Sequence, residues 1–502
     1  MNTTLQRGLH APPKAGAMVE ALRGLGYTPA TALADIIDNS IAAGADAVDV
    51  HFHWQADRSW ISIRDNGSGM GKDALFSAMR LGDRNPLDTR ASSDLGRFGL
   101  GLKTASFSQA RRLTVQSSDG LETDCLRWDL DLLASAKDDG WFLQSGPAEG
   151  SEALLPAFAA GETGTLVLWE VLDRIVTPGF RDKDFLDLID VIERHLAMVF
   201  HRFLGGSRPR LKIQLNGQRV EPWDPFLSTH PATWSSPVER LQAPGGMIEV
   251  QCHVLPHKDR LEQDVHDRAA GPDGWTAQQG FYVYRNERLL LAGNWLGLGR
   301  GRAWTKEEAH RLARIRIDIS NSADHDWKID IRKSVARPPV VLRDRLVRLA
   351  EDTRERARRV FAHRGKPVRK AGDPPAAQAW RADHFKGGIR YRIDMAHPAV
   401  QAVMDLAGDL EPMIKAMLRT LEETIPVQRI WLDTAEAKET PRTGFAGSPK
   451  AEVMEVLRPI YRNMILRKGM SPEAARQRLK TMEPFDAFPA FVDGLPDDPT
   501  KA

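Results

Sequence analysis

A chain of 502 residues, 42% hydrophobic and 27% charged, has room for two to four domains and an ordinary globular composition. Its 69 Lys and Arg stand against 67 Asp and Glu, so bulk charge does not mark a nucleic-acid binder, although local basic patches stay open. Cys125 and Cys252 are the two cysteines, which excludes a disulfide framework and a four-cysteine zinc site.

No apolar run is long enough to span a bilayer, and Lys14, Glu20 and Arg23 interrupt any signal-peptide core. A cytoplasmic protein with no membrane partner is expected.

Pro12-Pro13 opens a helix that runs to about Leu25 and is ended by Gly26. Thr28 is placed to N-cap a second helix as far as Ala43, closed by Gly44. Strands follow at 47–54 and 60–64, the second broken by Asp65-Asn66-Gly67. Lys72–Leu81 is expected to be helical. Residues 82–98, polar and containing Pro86, are expected to form a mobile loop, and a helix begins near Gly99. Strands recur at 111–118, 123–130 and 164–169, before a long amphipathic helix at 182–204.

Leu211–Leu215 leads into Asn216-Gly217, a hairpin signal, and further strands fit 247–254, 280–285 and 313–319. A basic helical pattern covers 341–364. Residues 365–388 look like a linker with Gly and Pro-Pro. The stretch 389–490 is mainly helical with one short strand at 389–394, and the last dozen residues are expected to be loose. Helices and strands mix without a βαβ repeat, so the fold class is α+β. The expected domains are 1–204, 205–345, a basic helix and linker at 346–388, and a helical region at 389–502.

Three segments carry the chemistry. In Asp35-Ile-Ile-Asp38-Asn39-Ser40, Asp35 and Asn39 are four apart and share a helix face. A carboxylate there can orient or deprotonate water, and a carboxamide oxygen suits Mg²⁺. Taken alone, the segment reads as a helix with a polar face toward solvent. In Asp65-Asn66-Gly67-Ser68-Gly69-Met70, a carboxylate at a strand end can accept from the exocyclic amine of adenine, and glycines let backbone approach the base. Taken alone, it reads as a plain Asp-Asn-Gly turn joining strand to helix.

The third segment, Gly96-Arg97-Phe98-Gly99-Leu100-Gly101-Leu102-Lys103-Thr104, is a glycine run opening a helix, which offers N–H groups to phosphates. It is not a P-loop, because Leu102 occupies the lysine position. It is not a Rossmann fingerprint either, because the glycine order is reversed and no strand precedes it.

The order and spacing of these segments, with Gly164-Thr165-Leu-Val-Leu-Trp, resemble the N-box, the glycine boxes and the closing strand of the GHKL (Bergerat-fold) ATPases. Within that superfamily, Gly99-Leu100-Gly101-Leu102-Lys103-Thr104-Ala105-Ser106 resembles the lid of the MORC ATPases and their bacterial relatives. Asn216–Phe226 and Gly280–Arg288 resemble the second, S5-like transducer domain of that family.

The resemblance implies Asp35 as the base that activates water, Asn39 as the Mg²⁺ ligand and Asp65 as the reader of adenine. It places Gly67, Gly69 and Met70 beside the base, and Thr165 in support of the adenine end. Gly96, Phe98, Leu100, Leu102 and Thr104 join the ATP-binding set, with Gly99, Gly101 and Lys103 on the phosphates. It assigns a transducer lysine to the γ-phosphate: Lys328, or Lys333 as second choice.

The chain departs from the pattern twice. Asp35 replaces the usual Glu and is one methylene shorter, and Ala42 replaces an Asp. The resemblance further implies an ATP-dependent homodimeric clamp acting on DNA or in an anti-phage, restriction-type complex with a nuclease or another partner. A protein-remodelling chaperone and a non-hydrolysing ATP-dependent scaffold are the competing functions.

Two other groupings have simpler accounts. Eight Arg and Lys between Arg354 and Lys370 could grip DNA phosphates or form a solvated helix end. Cys252 and His253 point to opposite faces of a strand, so with His257 they suit a structural role better than a metal site. His51 and His53 fit a surface or interface.

Overall fold

The computed structural model describes residues 13–83, 101–135, 140–243, 245–320, 323, 326–329, 336–362, 377–385, 388–430, 450–482 and 485–501. The protein is mixed α+β and divides into two units, 1–366 and 367–502.

The first unit begins with α1 (Ala15–Arg23) and α2 (Pro29–Ala42). Thr28 caps α2 by accepting from the Thr31 N–H, Pro29 occupies the first turn, and Gly44 at φ +75° follows the helix. Then come β1 (Ala47–His53), β2 (Trp60–Asp65), α3 (Lys72–Met79), α4 (Gly101–Phe107), β3 (Arg112–Asp119), β4 (Thr123–Asp129), α5 (Leu130–Ser135), β5 (Gln144–Ser145) and β6 (Thr163–Glu170). After them run α6 (Asp182–Val199), α7 (His201–Leu204), β7 (Lys212–Leu215) and β8 (Gln218–Arg219).

The strands form one sheet in the order β5-β4-β3-β6-β2-β1-β7-β8, antiparallel except where β7 runs parallel to β1. The hairpin at 212–219, expected to open the second domain, therefore completes the first sheet. Leu211, Ile213, Leu215 and Val220 are buried in the first core.

Registry across β3, β6 and β2 lines up Leu113, Trp169 and Ile61, then Val115, Val167 and Ile63, all buried. The same face ends on a polar row: Ser117, Thr165 and Asp65. α2 lies between α4 and α6 in the helical layer, and its residues 32–38 are all buried.

A second sheet holds β9 (Trp234–Ser235), β10 (Glu239–Ala243), β11 (Gly246–Val254), β12 (Gly280–Arg285), β13 (Arg288–Asn294) and β14 (Ala313–Ile319). Its order is β10-β11-β14-β12-β13, with β9 beside β11 and β12 parallel to β14. α8 (Gln263–Ala269) sits in the β11–β12 connection. One face of the sheet, including Cys252, packs on α9 (Val340–Ala362) through Leu342, Leu346, Ala350 and Ala357. This helix, expected to begin a separate basic segment, is part of the second core. Arg354 lies against both Trp295 and Trp304, its guanidinium carbon 4.8 and 5.0 Å from their ring centres, and is 3.8 Å from Glu307, so it is not a free phosphate grip.

The other face buries Phe226, Tyr282, Tyr284 and Leu289, with His201 and His253 beside them. His201 Nε2 lies 2.8 Å from the Tyr284 hydroxyl, and His253 Nδ1 lies 2.8 Å from Ser235 Oγ. Burial lowers both imidazoles from 6.5 to about 4. Depressed histidines stay neutral in the folded state while the unfolded chain takes up protons below 6.5. Stability is therefore full above that pH and is lost as pH falls toward 4. At pH 5 the expected loss is about 2 kcal/mol for each histidine. Urea midpoints at pH 7.5 and 5, compared with His201→Gln and His253→Gln, check this; an unchanged pH slope in both variants refutes it.

The second unit contains a hairpin of β15 (Trp380–Phe385) and β16 (Gly388–Ile393), then α10 (Pro398–Ala407), α11 (Glu411–Glu423), α12 (Lys450–Leu466), α13 (Pro472–Lys480) and α14 (Pro489–Asp493). β15 falls in the expected linker. The chain end is packed rather than loose: Val492 and Leu495 join the core of α12 and α13, and Tyr461 donates to the Pro496 carbonyl.

Candidate functional site

The site is built where the apolar rows of the first sheet give way to polar ones. Asp65 ends β2. Its Oδ1 accepts from the N–H groups of Gly67 at 2.9 Å and Thr165 at 3.2 Å, and its Oδ2 accepts from Ser40 Oγ at 2.8 Å. Burial pushes the Asp65 carboxyl above its ordinary value, against the downward pull of those three bonds. A carboxylate has about four acceptor positions, so Oδ2 keeps one open.

Glycines let three backbones meet here. Gly69 has φ +66°, and a Cβ on it would stand 1.7 Å from the Ser118 carbonyl oxygen; a Cβ on Gly164 would stand 2.3 Å from the Asp65 carbonyl oxygen. That approach brings the Met70 N–H within 2.9 Å of Ser117 Oγ. Gly69→Ala is expected to lose about 3 kcal/mol, from overpacking plus left-handed strain. A denaturation midpoint equal to that of the natural protein would show that the loop tolerates the methyl group.

The second centre is on α2. Asp35 is 5% exposed, whereas Asn39, one turn on, opens to solvent. Asp35 is thus no part of a solvated helix face. Tyr27 donates to its Oδ2 at 2.9 Å, and Arg288 Nη2 lies 3.7 Å from its Oδ1. Arg288, from β13 of the second sheet, also places Nε 3.2 Å from both oxygens of Asp38. Gly101, which starts α4, lies beside this group: a Cβ there would be 4.0 Å from Asp35 Oδ2.

Of the glycine-run residues, Gly96, Phe98, Gly99 and Leu100 lie outside the described residues. Leu102 packs on the first core, and Thr104 is buried. Lys103 is also buried, and its Nζ donates to the carbonyls of Ala78 and Arg80 at the end of α3. Lys328 is exposed in a left-handed turn at φ +49°, and Lys333 lies outside the described residues.

Asp65, Gly67, Gly69, Met70 and Thr165 are thus brought together, and Asp35, Asn39 and Gly101 form a second group on α2 and α4. Sequence reasoning passed over Tyr27, Ser40, Ser117 and Arg288. Ser40 is in the quoted Asp-Asn-Ser segment and Arg288 ends the quoted Gly280–Arg288 segment, but Arg288 is 250 residues from Asp38 and nothing local marks that pairing.

Among the described residues, no three His, Cys, Asp or Glu side chains gather as a metal cage. Asn39, exposed one helical turn from Asp35, offers a carboxamide oxygen, which suits a cation that takes one or two protein ligands and draws the rest from phosphates and water.

Residues 27–154 match the model of a family described as histidine kinase-, DNA gyrase B-, and HSP90-like ATPase. The ATPase morc-1 of Caenorhabditis elegans is 25% identical over 261 residues, covering 42% of this chain and 29% of that protein. The DNA mismatch repair protein MutL of Aliivibrio fischeri is 28% identical over 275 residues, 52% of this chain and 36% of that protein. MutL of Serratia proteamaculans is 37% identical over 93 residues, 18% and 14% of the two chains. The chain spans about a third or less of the length of these relatives.

Proposed function

We propose that this chain, whose residues 27–154 form a domain of the GHKL ATPase superfamily, binds Mg-ATP and hydrolyses it to ADP and phosphate. The observation that carries the reading is Asp65, held on three sides and left with one open acceptor where the apolar rows end. Such a group takes the exocyclic amine of adenine. Asp35 is the base for water, Asn39 would hold Mg²⁺, and Gly101, the first residue of α4, would meet the phosphates. Bound Mg²⁺ would neutralise phosphate charge. Tyr27 and Arg288 hold the Asp35 carboxylate in place, which supports its use as a base.

In the finer reading the protein is a MORC-like, nucleotide-gated homodimeric clamp that acts on DNA in the cytoplasm, within an anti-phage or restriction-type assembly that includes a nuclease or another partner. Lys328 or Lys333 reports the γ-phosphate. The similarity to morc-1 and to MutL, named for DNA mismatch repair, supports this direction. The test is steady-state ATP hydrolysis with and without duplex DNA, together with light scattering with and without a non-hydrolysable analogue. Turnover stimulated by DNA and a doubled mass with the analogue support the clamp. Turnover with neither response leaves an ATPase and removes the clamp; absence of nucleotide binding removes both.

A further inference from the structure

We infer that Ser117 is a specificity-determining positioning residue, which fixes the Thr165 hydroxyl as a hydrogen-bond acceptor toward the base and so selects a 6-amino purine over a 6-oxo purine. The inference rests on the nucleotide-binding reading of this site.

The proton positions follow from elimination. Ser117 Oγ has three polar neighbours: the Met70 N–H at 2.9 Å, the Gly164 carbonyl at 3.0 Å and Thr165 Oγ1 at 2.8 Å. An amide N–H only donates, and a carbonyl only accepts. Ser117 therefore spends its one proton on Gly164 and receives one from Met70. The remaining contact can be made only if Thr165 donates to Ser117. Thr165 has one hydroxyl proton, so every other direction around its oxygen presents lone pairs.

Ser117 is fully buried, and three strands hold it in register with Thr165 and Asp65, so its arrangement cannot relax into water. Asp65 offers only acceptors when ionised. The polar row therefore shows acceptors alone to a base edge. The amine at position 6 of adenine brings two N–H donors to it, whereas a 6-oxo purine brings a carbonyl oxygen that meets lone pairs and keeps a single donor, its N1–H, on that edge. Sites built on such buried polar groups discriminate strongly, because a mismatched ligand leaves those groups unpaired.

The experiment measures Kd for ATP and for inosine triphosphate, which carries a carbonyl at position 6 and a proton on N1, in the natural protein, Ser117→Ala, Ser117→Thr and Thr165→Val. The natural protein is expected to favour ATP by at least about 100-fold. Ser117→Ala frees the Thr165 hydroxyl to turn and donate, so the preference is expected to fall about tenfold, mainly through tighter inosine triphosphate binding. Ser117→Thr keeps a hydroxyl and restores the preference. In a Thr165→Val background, Ser117→Ala is expected to leave the ratio unmoved, because the group it orients is gone.

Equal weakening of both nucleotides in Ser117→Ala would assign Ser117 a packing role and overturn the proposal, as would an unchanged ratio. If Ser117→Ala does not fold, the Ser117→Thr and Thr165→Val ratios carry the test: a Thr165→Val ratio equal to that of the natural protein refutes it. Natural protein that binds both nucleotides alike refutes the specificity while leaving ATP binding intact. Natural protein that binds neither refutes the functional reading itself.

Discussion

Asp35→Asn is expected to lower kcat for ATP hydrolysis by about 10²–10⁴-fold, the usual range for a positioned general base. The Kd of a non-hydrolysable analogue should change little. The two effects separate because of where the groups sit. Asp65 ends β2 and is tied to Ser40, Gly67 and Thr165, whereas Asp35 is on α2 beside the first residue of α4 and is tied to Tyr27 and Arg288.

Asn keeps the shape and can still accept from Tyr27, but it cannot take a proton. Asp35→Glu tests reach: the extra methylene moves the carboxylate toward Gly101, where a Cβ would already stand 4.0 Å from Oδ2. Higher turnover in Asp35→Glu would identify the shorter side chain as the limit on rate. Natural turnover in Asp35→Asn would move water activation to another residue.

Much of the first unit was legible because its signals are local. Thr28 and Pro29 mark the start of α2, alternation marks the strands, and Asp65-Asn66-Gly67 marks the turn that aims Asp65. The fold class and the GHKL domain followed from elements and motifs in order along the chain. Partnership at long range left no local trace. Asn216-Gly217 identifies a hairpin, yet nothing in 211–219 says that it runs parallel to β1 rather than beside β11. β15 was lost because Trp-Arg-Ala-Asp-His-Phe lacks a clean apolar alternation and is defined by its pairing with β16. The chain end reads as loose by composition, but Val492 and Leu495 are held by α12 and α13, which composition does not record. Ser117 escaped because a serine in a strand looks unremarkable until Met70, Gly164 and Thr165 are folded around it.

Arg288→Met is expected to destabilise the first unit by about 3–5 kcal/mol, the usual cost of leaving a buried ion without its partner. Asp38 is 2% exposed and Arg288 4%, so water cannot replace the lost contact. The guanidinium is used on three sides: Nε bridges both Asp38 oxygens, Nη1 donates to the Leu289 carbonyl at 2.8 Å, and Nη2 stands 3.7 Å from Asp35. Without it, two buried carboxylates on consecutive turns of α2 face each other across a site with one fewer cation.

The double variant Asp38→Leu/Arg288→Met separates stability from function. An apolar pair is expected to recover most of the lost free energy, because replacing a buried ion pair by hydrophobic side chains is often neutral. Hydrolysis should stay low, since Asp35 still lacks Arg288 beside it and β13 no longer grips α2. Recovery of both stability and turnover would make Arg288 a structural tie alone. Recovery of stability without turnover would make β13 of the second sheet part of the apparatus that positions the base, so that a movement of that sheet reaches the reacting end of the site through one side chain.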